Sequence, residues 1–191
     1  MDIDIKDKNI IITGGTSGLG FSISKLLELN NNIFVIGNKN SHRVKKKLGG
    51  SKIFKADLTN PVKTINIFKQ IKKNVRKIDI IICFAGKSKP IKFDKIKSNH
   101  WLDSFNYNFI TATNTIESYD KIFNKKETKI ILVSSICASE KLNCSEPYAL
   151  SKNALNFYTK IVAKKYSLKG IYINTISPGN IFVKNGLWDK K

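Results

Sequence analysis

Residues 9–20 read NIIITGGTSGLG, a run of isoleucines closed by glycines and followed at once by apolar residues at helical spacing. β-Branched residues without polar alternation make a strand buried on both faces, and such a strand needs cover above and below it. Leu19, Ile23, Leu26 and Leu27 then fall along one helical face. The strand, glycine and helix order is the first half of a βαβ unit, and the alternation runs on. NIFVIG, KIFKADL, IDIIICFAG, TKIILVSSI and IYINTISPG read as further strands. Between them SHRVKKKLG, PVKTINIFKQIKKNV, SNHWLDSFNYNFITATNTIESYDKIF and PYALSKNALNFYTKIVAKKYS read as helices. Pro61 stands in a first helical turn, where its missing N–H is harmless. This series predicts an α/β fold, a doubly wound three-layer sandwich around a parallel sheet of about six strands with right-handed connections.

At 191 residues and 41% hydrophobic content the chain can bury one sizeable core, and no linker or repeat divides residues 1–191. A single domain is expected. Every apolar stretch falls short of the roughly 20 residues that a membrane helix needs. MDIDIKDKN lacks the apolar core of a secretory signal, so the mature chain is expected to begin at Met1 and to be cytoplasmic, with no membrane association. Cys83, Cys137 and Cys144 are odd in number and lack C-x-x-C spacing, which predicts reduced, mostly buried thiols rather than a disulfide framework. His42 and His100 have no ligand cluster about them, and no metal is expected. The net charge of +20 raises a polyanion partner, but the lysines are scattered and only RVKKKL at 43–48 is dense. No nucleic-acid partner is expected from that pattern.

TGGTSGLG, residues 13–20, lies where the first strand gives way to the first helix. Gly14 permits the tight turn, Gly18 lets backbone approach a pyrophosphate and Gly20 allows close packing, while free N–H groups and the helix dipole attract phosphate. The G-x-x-x-G-x-G spacing resembles the cofactor loop of the short-chain dehydrogenase/reductase family, and further motifs follow in that family's order. Asp57 and Leu58 end the third strand, Phe84, Ala85 and Gly86 stand at the family's Asn-Ala-Gly, and Ser134 and Ser135 end the fifth strand. YALSK at 148–152 matches Tyr-x-x-x-Lys, and SPG at 177–179 matches the Pro-Gly that closes over a nicotinamide. The resemblance implies a Rossmann-like fold, an NAD(P) cofactor and dehydrogenase or reductase activity. Phe84 departs from the family's Asn, and the chain is short of the roughly 250 residues usual there. A C-terminal substrate segment and a seventh strand are therefore expected to be missing.

Interconverting a carbonyl and a secondary alcohol needs a hydride carrier on one face and a proton donor or acceptor at the oxygen. Tyr148 and Lys152, at i and i+4, emerge on one helical face, and a nearby cation lowers a phenol's pKa. By resemblance, Tyr148 is the general acid/base, Lys152 lowers its pKa and holds the nicotinamide ribose, and Ser135 hydrogen-bonds the substrate oxygen. Asn108 matches the helix asparagine whose backbone binds a relay water. The cofactor residues implied are Gly14, Thr16, Ser17, Gly18, Leu19, Gly20, Asn38, Lys39, Asp57, Leu58, Ala85, Gly86, Tyr148, Lys152, Pro178 and Gly179. The second strand ends in Gly37, Asn38 and Lys39 with no acid for ribose hydroxyls, and Lys39 and Arg43 suit a 2′-phosphate, so NADP is expected before NAD.

The reading that follows is an NAD(P)-dependent oxidoreductase acting on a carbonyl or alcohol of a small metabolite. Residues 136–143 and 180–185 are expected to line its substrate pocket, and a homodimer or homotetramer is expected from the family. Two other readings stay open: a nucleotide-binding homologue without a complete substrate pocket, and a charge-driven nucleic-acid binder.

Overall fold

In the computed structural model, which describes residues 5–38, 44, 46–88, 90–124 and 127–182, the strands lie side by side in one parallel sheet. They are β1 (Asn9–Thr13), β2 (Asn32–Gly37), β3 (Lys52–Lys55), β4 (Ile80–Cys83), β5 (Thr128–Val133) and β6 (Ile171–Ile176). Their order is β3-β2-β1-β4-β5-β6. The order reverses between β1 and β4, which pair from Ile10 with Ile80 to Thr13 with Cys83. Ligands of open α/β sheets sit in the crevice that such a reversal leaves at the carboxyl ends of the strands.

The isoleucine runs explain why helices cover both faces. Ile11, Phe34, Ile36, Ile81 and Ile130 point into one core cluster, while their neighbours Ile10, Ile12, Ile33, Val35 and Ile82 point into the other. Successive side chains of a strand alternate faces, so a continuous apolar run fills both. The first cluster is closed by α2 (Pro61–Lys72), α4 (Thr111–Phe123) and α5 (Glu146–Ser167) through Phe68, Ile71, Ile116, Tyr119 and Leu155. The second is closed by α1 (Gly18–Leu27) through Leu27, together with Val44 and Leu48. Of the helix expected at 41–49, residues 41–43 and 45 lie outside the described residues, Val44 is helical, and 46–49 run as turn and bend rather than helix.

The long helix expected from 98 to 123 is continuous but not uniform. It runs as α3 (Ser98–Phe105), a π-helical segment (Asn106–Ile110) and then α4. In the π segment the Thr111 N–H donates to the Asn106 carbonyl, one residue farther back than an α-helix allows. The extra residue swells the helix at Asn108. α2 ends at Lys72, a few residues short of the expected stretch, and its Asn60 cap accepts the Lys63 N–H at 2.9 Å.

Candidate active site

The glycine loop leaves β1 into the crevice between β2 and β4. Gly14 has φ +70°, and a Cβ there would stand 2.6 Å from the Ala85 nitrogen, so the close approach of the β1 and β4 ends needs glycine. Gly18 also has positive φ, +53°, yet a Cβ there would meet nothing within 4 Å. Its side faces open space rather than protein. A Cβ on Gly20 would lie 2.5 Å from the Gly14 carbonyl oxygen, which is the tight helix-to-loop packing expected of it. Ser17 precedes α1 without capping it, and no acid stands in the first turn, so the leading N–H groups of α1 are left for an anionic ligand.

Beside this loop lies a cavity of about 310 Å³ walled by Gly14, Thr16, Ser17, Asn38, Asp57, Leu58, Ala85 and Gly86. These are cofactor residues expected from the sequence. Lys39 lies outside the described residues, as does Arg43. Asp57 is partly committed, since its Oδ1 accepts from the Thr59 N–H at 3.0 Å and from the Thr59 hydroxyl at 2.8 Å. Leu58 is held by its own carbonyl, which accepts from Asn114 Nδ2 at 2.9 Å. Lys87, Tyr107 and Thr111 also line this space and were not expected. The Lys87 ammonium sits over the Tyr107 ring, 4.9 Å from its centroid. Their only signal in sequence is adjacency, Lys87 to Gly86 and Tyr107 to Asn108.

A second cavity, about 260 Å³, shares Gly86 and Lys87 with the first. It brings together Leu19, Asn108, Ser135, Tyr148, Lys152, Pro178 and Gly179, residues drawn from five separate motifs. Pro178 reaches it because its carbonyl accepts the Ile136 N–H at 3.0 Å, tying the end of β6 to the end of β5. Phe84 lines the same cavity and packs into the α1-side core, so the residue in place of the family's Asn serves as an apolar wall. Its backbone N–H still donates to the Thr13 carbonyl at 2.9 Å.

Lys152 is 5% exposed, and its Nζ donates to the Val133 carbonyl at 2.7 Å. Burial pulls its pKa down from 10.5 to about 8, against a smaller upward pull from Cys83. Tyr148 moves the other way from the expectation that Lys152 would lower it. Burial pushes the phenol up, the Ser135 hydrogen bond opposes this, and Cys137 and Cys144 add to the rise. The physical reason is that low-dielectric surroundings disfavour the phenolate while the lysine ammonium is turned to a backbone carbonyl. Cys83, fully buried at the end of β4, is pushed up to about 12 by the same desolvation. It is the one buried thiol of the three, whereas Cys137 and Cys144 are only half-buried, contrary to the expectation of mostly buried cysteines.

Asn108 is 1% exposed, and its side chain is fully engaged. Oδ1 accepts the Lys87 N–H at 2.9 Å, while Nδ2 donates to the Lys87 carbonyl at 3.0 Å and to the Ser104 carbonyl at 2.9 Å. It therefore fixes the chain segment that follows Gly86, and the π segment accommodates it. Of residues 136–143, Ala138 and Ser139 line a separate cavity of about 450 Å³ instead of the one beside Tyr148 and Lys152. The recess next to Tyr148 is formed by Ile91, His100, Asp103, Ser104, Ser145 and Pro147. Residues 183–185 lie outside the described residues. Among the described residues no group of His, Cys, Asp and Glu could hold a metal, and no helix is long and apolar enough to cross a membrane.

Comparison with known proteins gives the arrangement a context. Residues 8–186 match the family model described as short chain dehydrogenase. The chain is 32% identical over 190 residues to 3-oxoacyl-[acyl-carrier-protein] reductase FabG of Buchnera aphidicola subsp. Baizongia pistaciae, covering 94% of this chain and 75% of the relative. It is 28% identical over 197 residues to FabG of Rickettsia bellii, covering 98% and 78%. Among solved structures, the Pseudomonas aeruginosa RhlG/NADP active-site complex superposes with a TM-score of 0.83 at 19% identity, over 93% of this chain and 74% of that one. A short chain dehydrogenase from Mycobacterium smegmatis superposes with a TM-score of 0.84 at 15% identity, over 92% and 77%. These two likenesses concern the fold.

Proposed function

The chain belongs to the short-chain dehydrogenase family and is an NAD(P)-dependent dehydrogenase or reductase, and from that premise we propose that it reduces the keto group of a 3-oxoacyl thioester to a secondary alcohol with NADPH. The observation that carries the proposal is the single cavity that gathers Ser135, Tyr148, Lys152, Pro178 and Gly179. The substrate class follows the names of the two FabG relatives. NADPH follows from the absence of an acid after β2, where Gly37 and Asn38 stand. The cavity walled by Gly14, Asp57 and Ala85 has room for the adenosine half, and the uncapped start of α1 suits the pyrophosphate.

When bound, the cofactor supplies the hydride. The chain supplies the rest. Ser135 donates a hydrogen bond to the ketone oxygen and orients it. Tyr148, whose burial keeps it protonated at neutral pH, hands its proton to that oxygen as negative charge develops there. Lys152, still mostly an ammonium below about pH 8, is placed to bind ribose hydroxyls and to restore the phenol's proton. Asn108 acts by holding Lys87 and Gly86 in line, which keeps the floor between the two cavities in place.

The test is a coupled set of assays with NADPH and NADH against a 3-oxoacyl thioester and a plain ketone. Turnover with the thioester is expected, with kcat/KM at least about tenfold higher for NADPH. NADPH binding without oxidation by any carbonyl substrate would overturn the reading.

A further inference from the structure

The side chain of Lys87 has no part in that reaction, yet it stands where three spaces meet. It lines the cavity beside the glycine loop, the cavity around Tyr148 and Lys152, and the recess next to Tyr148. Its main chain is clasped on both sides, because Asn108 accepts the Lys87 N–H at 2.9 Å and donates to the Lys87 carbonyl at 3.0 Å. Its ammonium rests 4.9 Å from the centroid of the Tyr107 ring. Tyr107 and Asn108 are consecutive residues of the π segment, Tyr107 walling the first cavity and Asn108 the second. The swollen turn therefore holds this lysine at both its backbone and its charged end.

Charge is unbalanced at this point. Among the described residues that wall the two cavities, Lys87 and Lys152 are cations and Asp57 is the one acid, with Thr59 already on its Oδ1. Lys152 stands close by, since a Cβ on Gly86 would lie 3.4 Å from its Nζ. No ion pair among the described residues joins Lys87 to an acid. An exposed ammonium held over a ring, beside a cavity without a carboxylate to pair with, is a charge that an anionic ligand neutralises. The uncapped start of α1 crosses the same boundary, with Ser17 lining the first cavity and Leu19 the second.

A dinucleotide that fills both cavities crosses their boundary with the group that joins its two halves, the pyrophosphate. We propose that the Lys87 ammonium binds this pyrophosphate, sharing it with the free N–H groups at the start of α1. The inference rests on the cofactor part of the functional reading and is independent of the thioester. The helix start offers partial charge and neutral donors, and Lys87 adds a full charge with three donors on a flexible stem. Tyr107 is a positioning residue, whose ring keeps the ammonium at the boundary. Because the pyrophosphate is common to NADPH and NADH, the contact strengthens both and selects neither.

The experiment measures Kd for NADPH and NADH by fluorescence titration, and for ADP and adenosine by displacement of NADPH, in the parent, Lys87→Met and Lys87→Arg. Lys87→Met is expected to weaken NADPH, NADH and ADP alike by about tenfold and to leave adenosine within about twofold. Lys87→Arg keeps the charge and is expected to stay within about threefold of the parent. The exposed charge is screened by salt, so the tenfold loss is expected to shrink to about twofold near 1 M sodium chloride. Tyr107→Leu is expected to weaken the same three ligands by about threefold, and Tyr107→Phe, which keeps the ring, to match the parent. A loss confined to NADPH assigns the ammonium to the 2′-phosphate and overturns the proposal. So does an unchanged Kd for every nucleotide, or a loss that extends to adenosine or ignores salt. The thioester assay is scored apart: NADPH that binds without being oxidised sinks the functional reading, and the Kd comparison still decides on Lys87.

Discussion

The two halves of the crevice are built from opposite materials. The half beside β1 and β2 is walled by backbone: Gly14, Gly20 and Ala85 stand so close that an added carbon on either glycine would meet main-chain atoms within 2.6 Å. The half beside β5 and α5 is walled by buried polar side chains, with Asn108, Ser134, Ser135 and Lys152 each no more than 9% exposed. The first half tolerates no extra atom, and the second tolerates no unpaired polar group. The division matches the two tasks, since holding a large anion needs room and N–H groups, whereas moving a proton needs groups whose charge is costly and therefore movable.

The largest expected effect strikes the polar half. Tyr148→Phe removes the proposed proton donor and is expected to lower kcat by about a thousandfold, measured as NADPH consumption. Gly14→Ala strikes the backbone half through a positive φ and a clash with Ala85, and should lower stability by about 3 kcal/mol in urea titration. Ser135→Ala is expected to reduce kcat by about a hundredfold with KM for NADPH little changed.

The smallest effect has the opposite sign. Lys152 titrates at about 8 in the folded chain, against an ordinary 10.5. Between those values the unfolded chain binds the extra proton, so this group makes stability rise with pH across that window. Below about pH 8 the buried ammonium is a standing penalty. Lys152→Met removes roughly 3 kcal/mol of charge burial and loses a hydrogen bond to Val133 worth roughly 1, so it should be about 2 kcal/mol more stable at pH 7. Its stability should also lack the rise from pH 8 to 10.5 seen in the parent, while its activity is largely lost. A Lys152→Met protein less stable than the parent at pH 7 would contradict the view that the polar half stores unfavourable charge.

Much of this division was legible in the sequence because it rests on strongly patterned residues. Isoleucine runs such as NIIIT and IDIII fill both faces of a strand whatever else happens, and the six strands fell where those runs lie. Gly14, Asp57, Ala85 and Gly86 were legible because strand ends at a reversal point converge. The features that escaped depend on single residues acting across space. One extra residue in the helix at Asn106–Ile110 leaves no mark in an apolar period. The upward shift of Tyr148 depends on burial by the surrounding chain, which i and i+4 spacing does not encode. Lys87 and Tyr107 enter the cavity beside the glycine loop through backbone placement set by Asn108.

The central claim, that one half binds and the other reacts, is tested most directly by NADPH affinity in Tyr148→Phe beside Gly14→Ala, measured by fluorescence titration. Tyr148→Phe is expected to keep the parent's Kd within about twofold, and Gly14→Ala to weaken it by about tenfold or more. Loss of affinity in Tyr148→Phe, or an unchanged Kd in folded Gly14→Ala, would contradict that division.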